Sequence, residues 1–307
     1  MRTIRIHSFG DTGVLAIEDI PRPKPKDDEV LIRVHAASVN PVDYKIRSGS
    51  YTRGEVELPA TLGRDVAGNI AETGRAVLGF DIGESVFAFL GAHSGGYAEY
   101  AIAEINEVAP KPVTLDFVTA AAVPLAALTA WQGLFDHGEL TTREQVLIHG
   151  AAGGVGHFAV QFAKARGATV FATARKEDRD LLKRLGCDHV IDYQTEWFED
   201  HVHDIDLVLD LVGGDTQDRS WNVLRKGGRL ISSLQQPSAE KARRHQAEGK
   251  FFMAKPKTEQ LRTIAQLIDK GRVVVQVDTA LPLDHVREAH ERLENKHTQG
   301  KIVLTVA

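Results

Sequence analysis

A single cysteine, Cys187, in a chain of 307 residues leaves no partner for an internal disulfide and too few thiols for a multi-cysteine zinc site. It lies in "LGCDHVIDY", between an expected helix and an expected strand, where a small buried side chain fits better than a reactive thiol. No apolar run approaches the ~18 residues of a membrane-spanning helix, and the opening "MRTIRIHSFGDTG" has no apolar signal core. Positive charge is not in excess either: 37 Lys and Arg stand against 42 Asp and Glu, so no basic footprint points to nucleic acid. The one basic cluster, "EKARRHQAEGK" (240–250), reads as a solvated helix or loop. These absences lead us to expect a soluble cytoplasmic protein in a reducing compartment, with no nucleic-acid partner and no membrane partner.

What is present falls into two textures, consistent with about two domains at ~150 residues each. Up to about residue 116 the pattern is short and strand-like, as in "EVLIRVHAASV", "ESVFAFL" and "YAEYAIA", with Gly and Pro between. Such alternation indicates a β region or barrel. From about residue 120 to 254 strand and helix take turns. "QVLIH" precedes a helix from about Gly154 to Arg166, "TVFAT" precedes "EDRDLLKRLG" with Gly186 as its C-cap, and "HVI", "DLVLDLV", "RLISS" and "FFMA" follow as short apolar runs. Continuous apolar strands separated by helices indicate a parallel sheet covered on both faces. The last fifty residues read as helix "TEQLRTIAQLIDKG", strand "VVVQV", helix "LDHVREAHERLEN" and strand "GKIVLTV", folding back onto the β region. The expected division is therefore residues 1–121 with 256–307 as one domain, and 122–255 as the other.

"HGAAGGVGHF" carries Gly153 and Gly156 at the second and third positions of a G-x-G-x-x-G turn, between strand "QVLIH" and an amphipathic helix. Ala151 stands at the first position, which serves only the tight turn and tolerates Ala if its φ stays negative. The segment Ala152, Gly153, Gly154, Val155 and Gly156 would offer backbone N–H groups and a helix N-terminus to a pyrophosphate. No Gly-Lys-Ser/Thr follows, which excludes a P-loop, so a dinucleotide is expected. The next strand ends in Thr173, Ala174, Arg175 and Lys176, with Arg179 one turn later, where an NAD site usually places Asp or Glu. Cations there favour a 2′-phosphate and hence NADPH (NADP), despite the neighbouring Glu177 and Asp178.

With these residues in hand, the chain resembles the zinc-independent NADP-dependent quinone oxidoreductases, the zeta-crystallin-like family of the medium-chain dehydrogenase/reductase superfamily. The likeness runs through "SVNPVDYKIRSGSY" (38–51), "LGRDVAGNI" (62–70), "AAAVPLAALTAWQGL" (120–134), "HGAAGGVG" and "QGKIVLTV" in order. It implies an α/β fold: a GroES-like β-barrel catalytic domain plus a Rossmann domain with a doubly wound parallel sheet. It also accounts for Ala151, since the family's cofactor turn resembles Ala-x-Gly-x-x-Gly. Where zinc alcohol dehydrogenases have their first ligand cysteine this chain has Asn40-Pro41, and their Gly-His-Glu reads Gly63-Arg64-Asp65. A catalytic zinc takes about three Cys, His or carboxylate ligands; His201 and His203 lie in the other half, and no metal is expected.

Hydride transfer without a Lewis acid suits acceptors that are already electrophilic, namely quinones and α,β-unsaturated carbonyls, whose oxygen takes up charge that donors can hold. In "NPVDYKIRSGSY" the candidate catalytic residues are Asn40, which resembles the family residue beside the nicotinamide, with Lys45, Tyr44 and Tyr51 as donors or proton sources. Asp43 is read as a loop-fixing residue and Arg64 as a structural ion-pair partner. Carried over from the family, Thr129 lies near the nicotinamide and Tyr193 at the adenosine end. The later loops would bring Leu211, Val212, Ser233, Leu234, Phe252 and Met253 to the cofactor, and Gly300 and Lys301 to the nicotinamide ribose. The resemblance further implies a homodimer and a small-molecule quinone or enone substrate. Two alternatives stand beside this reading: an alkenal/enone reductase with little quinone activity, and a non-catalytic NADPH-binding regulatory protein. A short-chain dehydrogenase is excluded, because none of the five tyrosines is followed by Lys in Tyr-x-x-x-Lys.

Overall fold

The computed structural model describes residues 1–51, 54 and 56–306. The chain divides into two compact units: Met1–Leu125, Pro256–Asp269 and Gln276 onward form the first, and Ala126–Lys255 with Lys270–Val275 the second. The first unit opens with strands β1 (Arg2–Ile6), β2 (Ala16–Asp19) and β3 (Glu29–Val39), then helix α1 (Pro41–Ser48). Next come β4 (Ala60–Thr61), β5 (Asp65–Thr73), β6 (Ser85–Phe89), β7 (Tyr100–Glu104), β8 (Val108–Pro110) and α2 (Phe117–Ala121). Helix α3 (Pro124–Trp131) begins here and runs on into a π-helical turn at Gln132–His137 in the second unit.

The second unit continues with β9 (Gln145–His149), α4 (Gly156–Arg166), β10 (Thr169–Ala174), α5 (Arg179–Arg184), β11 (His189–Asp192) and β12 (Ile205–Asp210). It ends with α6 (Gly214–Ser220), β13 (Leu224–Ser232), α7 (Ala239–Arg244) and β14 (Glu248–Phe251). Its six strands pair in the order β11-β10-β9-β12-β13-β14, every pair parallel. The order reverses between β9 and β12, and at such a switch point the carboxyl ends of the strands leave a crevice for ligands.

The chain returns to the first unit with α8 (Thr258–Asp269), β15 (Val277–Pro282), α9 (Val286–Asn295) and β16 (Lys301–Thr305). Two sheets build that unit: β2-β1-β4, and the larger β15-β16-β3-β5-β6-β8 with β7 also on β3. Strand β3 pairs with β16, β5 and β7, so all of its residues but Arg33 and His35 are buried. That explains its almost continuous apolar reading. Val30, Ile32, Val34, Val66, Ile70, Ile302 and Leu304 fill one core with Ile4, Ile6 and Tyr97.

Three expectations are corrected. "FFMA" is not the sixth strand: β14 is Glu248–Phe251, paired with Arg229–Ser232 at the sheet edge. A half-exposed edge strand has no apolar run, so only its last residue, Phe251, stood out. "VVVQV" is not a strand before Val277, because the side chain of Gln161 takes both backbone groups of Val274, at 2.7 and 2.9 Å. That grip holds Lys270–Val275 in the second unit, whereas 256–307 was expected to be continuous in the first. At the other end, residues 122–125 group with the first unit, where Leu125 N donates to Asp65 Oδ1 at 2.7 Å.

Candidate functional site

In the second unit the glycine turn joins β9 to α4. Its left-handed residue is Gly150 (φ +69°); Ala151 has no positive φ and donates its N–H to Thr173 O at 3.3 Å. The turn therefore asks nothing of Ala151 that an L-residue resists. Gly156 is required for another reason: a Cβ there would fall on the Gly150 carbonyl and on Ala151 Cα. Ala152 is buried, while Gly153, Gly154 and Val155 are partly exposed just before the helix N-terminus. Gly153 N donates to Gly150 O at 3.2 Å, so it is the backbone ahead of the helix, with the helix dipole, that would receive a phosphate.

At the end of β10 the structure brings Arg175 and Tyr193 together, with Arg175 Nε donating to Tyr193 Oη at 3.0 Å. Arg175 also pairs with Glu177 at 3.5 Å, and its N–H donates to the buried Asp178. Lys176 is exposed, and Arg179 has a buried Nε without a hydrogen-bond partner. A strand end carrying Arg175, Lys176 and Arg179 fits a phosphate better than a ribose hydroxyl. The Thr173 hydroxyl is turned inward to His149 Nδ1 at 2.9 Å. Ser220 Oγ donates to Thr216 O at 2.6 Å, so it accepts from His149 Nε2, and Thr173 donates to Nδ1. Burial holds this histidine down at about 4, hence neutral.

The loops after β12 and β13 depend on a residue that sequence reasoning missed. Buried Asp210 accepts from Val212 N and Gly213 N through Oδ1, at 3.0 and 2.8 Å. Through Oδ2 it accepts from Gln217 and Ser232, at 2.9 and 2.8 Å. Ser232 Oγ in turn accepts from Leu234 N and Gln235 N. One carboxylate thus shapes the segments holding Leu211, Val212, Ser233 and Leu234. The available signal was an acid ending an apolar strand before a Gly pair. Met253 is exposed, but Phe252 is buried with its ring 4.8 Å from that of His137, so it packs beneath the π-helical turn rather than facing a ligand. Thr129 is buried in α3.

In the first unit α1 begins on Asn40 and Pro41, where a missing N–H costs nothing, and ends at Gly49 with φ +77°. Asp43 accepts from Asn40 N at 2.7 Å and from Tyr97 Oη at 3.0 Å, and burial pushes its carboxyl up to about 6. It fixes the loop, as its position suggested. Tyr44, Lys45 and Tyr51 are half-buried. Tyr51 N donates to Lys45 O at 3.0 Å, while its ring packs on the core; burial and Glu294 push Tyr44 up. Arg64 donates to Gly91 O, in a neighbouring loop.

Asn40 is buried and both ends of its amide are engaged. Nδ2 donates to Asp65 Oδ2 at 2.8 Å, and Oδ1 accepts from Lys301 Nζ. Asp65 also accepts from Ser38 Oγ at 2.7 Å and from Leu125 N. Lys301 Nζ lies 3.8 Å from Asp65 Oδ2 and donates to Val39 O at 3.2 Å. Burial pushes the Asp65 carboxyl up and the Lys301 ammonium down, each opposing the other's shift. Lys301 is therefore turned inward, not offered to a ribose. Gly300, at φ +88°, is packed against the Gln276 carbonyl, which leaves no space for a side chain.

A zinc ion does not fit here. Asp65, the carboxylate at the zinc-ligand segment, is engaged by three hydrogen bonds and faces an ammonium that would repel a dication. Among the described residues no three His, Cys, Asp or Glu side chains are grouped to hold a metal.

Residues 26–113 match the alcohol dehydrogenase GroES-like domain and residues 185–304 the family described as zinc-binding dehydrogenase. Rat quinone oxidoreductase is 35% identical over 322 residues, covering 99% of this chain and 97% of its own. The chloroplastic NADPH-dependent alkenal/one oxidoreductase of Arabidopsis thaliana is 34% identical, covering 96% of this chain and 77% of its own. The solved quinone oxidoreductase of Coxiella burnetii superposes with a TM-score of 0.93 at 35% identity, over 100% of this chain and 99% of that one. A GroES-like unit, a parallel six-stranded Rossmann unit and relatives of this identity over nearly the whole length place the chain in the quinone oxidoreductase family of the medium-chain dehydrogenases/reductases.

Proposed function

We propose that the protein is an NADPH-dependent oxidoreductase that delivers hydride to quinones or to the activated C=C bond of enones and alkenals. The observation that carries the reading is the second-strand end: Arg175, Lys176 and Arg179 stand where an NAD site needs a carboxylate. Relatives named quinone oxidoreductase and NADPH-dependent alkenal/one oxidoreductase support it.

The bound nicotinamide supplies the hydride. The protein's part is to bind, orient and stabilise charge. The backbone from Ala152 to Gly156 holds the pyrophosphate, Arg175 and Arg179 hold the 2′-phosphate, and Tyr193 covers the adenosine end. Thr129 and the Leu211–Val212 and Ser233–Leu234 segments line the cofactor. Asn40 stands beside the reacting centre, with Lys45, Tyr44 and Tyr51 as donors to the acceptor oxygen or as its proton source. Donors aimed at a developing oxyanion contribute ~3–4 kcal/mol each in such sites. No step needs a metal. Strand β14 is an edge of the parallel sheet, and it is there that two copies would pair in a homodimer. The lone cysteine, buried with its thiol pushed up to about 12, suits a reducing compartment such as the cytoplasm.

NADPH and NADH oxidation, followed with 1,4-benzoquinone, 9,10-phenanthrenequinone, a 2-alkenal, an enone and a simple ketone, tests this directly. We expect turnover of quinone or alkene with NADPH over NADH, none with the ketone, and no effect of a chelator. Tight NADPH binding with no turnover of any acceptor would leave only a cofactor-binding protein.

A further inference from the structure

The buried Asp65–Lys301 pair joins the start of β5 to the start of β16 and encloses the Asn40 amide between its charges. Both partners are sealed, at 0% and 4% exposure. Taking two charges out of water costs about as much as their attraction returns, so such a pair is a weak source of stability by itself. What it fixes is an orientation. The two ends of an asparagine amide are nearly the same shape, and only hydrogen bonding tells them apart. Lys301 can only donate, and the Asp65 carboxylate only accepts. A flipped Asn40 would set its NH2 against the ammonium and its oxygen against the carboxylate, losing both bonds for two repulsions. The second Nδ2 hydrogen makes a longer contact, 3.5 Å to Ser38 O, so the amide is held from three sides.

Positions 40 and 65 belong to the two segments where zinc-dependent relatives carry metal ligands, and here a lysine ammonium lies against both. We propose that Lys301 and Asp65 are positioning residues of the reductase, an internal ion pair that holds the Asn40 amide in its working orientation. The inference rests on the proposed reductase reading, and it gives Lys301 a role internal to the first unit rather than a contact with the cofactor.

Five variants test it: K301M, D65N, the charge-free D65N/K301M, N40A, and N40A/K301M. For each, NADPH affinity is measured by fluorescence titration, kcat and KM with the best acceptor from the panel, and the melting temperature. K301M should lower kcat on the order of ten-fold while the NADPH Kd stays within about two-fold. The charge-free double variant leaves no unpaired buried charge, so its melting temperature should recover while its kcat stays low. In the N40A background K301M should cost almost nothing further, because both changes remove the same device. The idea is overturned by a ten-fold weaker NADPH Kd with kcat preserved, which would make Lys301 a cofactor contact. It is equally overturned if D65N/K301M regains wild-type kcat, which would make the pair structural, or if N40A and K301M multiply independently. Wild-type protein that binds NADPH but turns over no acceptor would sink the reductase reading and this inference with it, a result no variant outcome can mimic.

Discussion

Asp210 shows how much one carboxylate can hold. Its four hydrogen bonds draw Val212, Gly213, Gln217 and Ser232 into a single cluster, and two further N–H groups hang on Ser232. Asp210→Ala leaves those donors buried and unmet, at ~1–3 kcal/mol for each that finds no water. We expect a stability loss of about 3 kcal/mol and a NADPH Kd weakened about ten-fold, read by urea unfolding and by titration. An unchanged Kd in a folded D210A would show that the two loops do not touch the cofactor. Residues of this kind were hard to read in the sequence. Ser233 and Leu234 stood out through resemblance, while Ser232, which accepts from Leu234 N and Gln235 N, was not named as a site residue. Likewise Asp65 registered as a departure from the zinc-ligand motif and as an expected partner of Arg64, because its actual partner Lys301 arrives from the far end of the chain.

Elements were more legible, since hydrophobic periodicity is local. Strand β3 spans the stretch that its apolar run outlined, and β9, α8 and β16 lie where their patterns put them. The misses have separate causes: β14 is an edge strand without an apolar run, whereas at "VVVQV" Gln161 reaches from α4 to seize Val274, and nothing near that stretch announces it. The glycine turn is the element where sequence left a question, and substitutions there separate its three demands. Ala151→Gly should be nearly silent, about 0.5–1 kcal/mol less stable through chain entropy, because no left-handed φ is needed there. Gly150→Ala should cost ~1–2 kcal/mol for forcing a side chain into φ +69°. Gly156→Ala should be worst, abolishing NADPH binding or the folding of the second unit, since the new methyl meets backbone rather than a movable side chain. Thermal melts with NADPH titrations rank the three. Equal effects for A151G and G150A would contradict the assignment of the turn to Gly150.

The two units should answer acid in different ways. In the second, His149 is held down at about 4 by burial, with Asp210, Glu199 and Arg219 around it. A buried neutral histidine contributes stability that is present above its unfolded value of about 6.5 and lost as pH falls toward 4. In the first unit His290, pushed down to about 3 by burial and Arg47, acts the same way. Against it stand two carboxyls pushed up by burial, Asp43 to about 6 and Glu107 to about 7. A raised carboxyl contributes stability that is full below its unfolded value and lost as pH climbs through the folded one. Asp65, also pushed up, adds to the same side. Between about pH 6 and 4.5 the second unit therefore loses stability on acidification at ~1.4 kcal/mol per pH unit, one proton's worth, while the raised carboxyls of the first offset the loss at His290. All three tryptophans, Trp131, Trp197 and Trp221, lie in the second unit, so their fluorescence reports it alone, whereas far-UV circular dichroism reports both. Urea titrations at pH 7.5 and pH 5 should show the fluorescence midpoint falling with acid and drawing away from the dichroism curve. Replacing Glu107 by Gln should remove part of the first unit's offset without moving the fluorescence curve. Coincident transitions at both pH values would mean that the units unfold as one, with their opposing protons cancelling inside a single equilibrium.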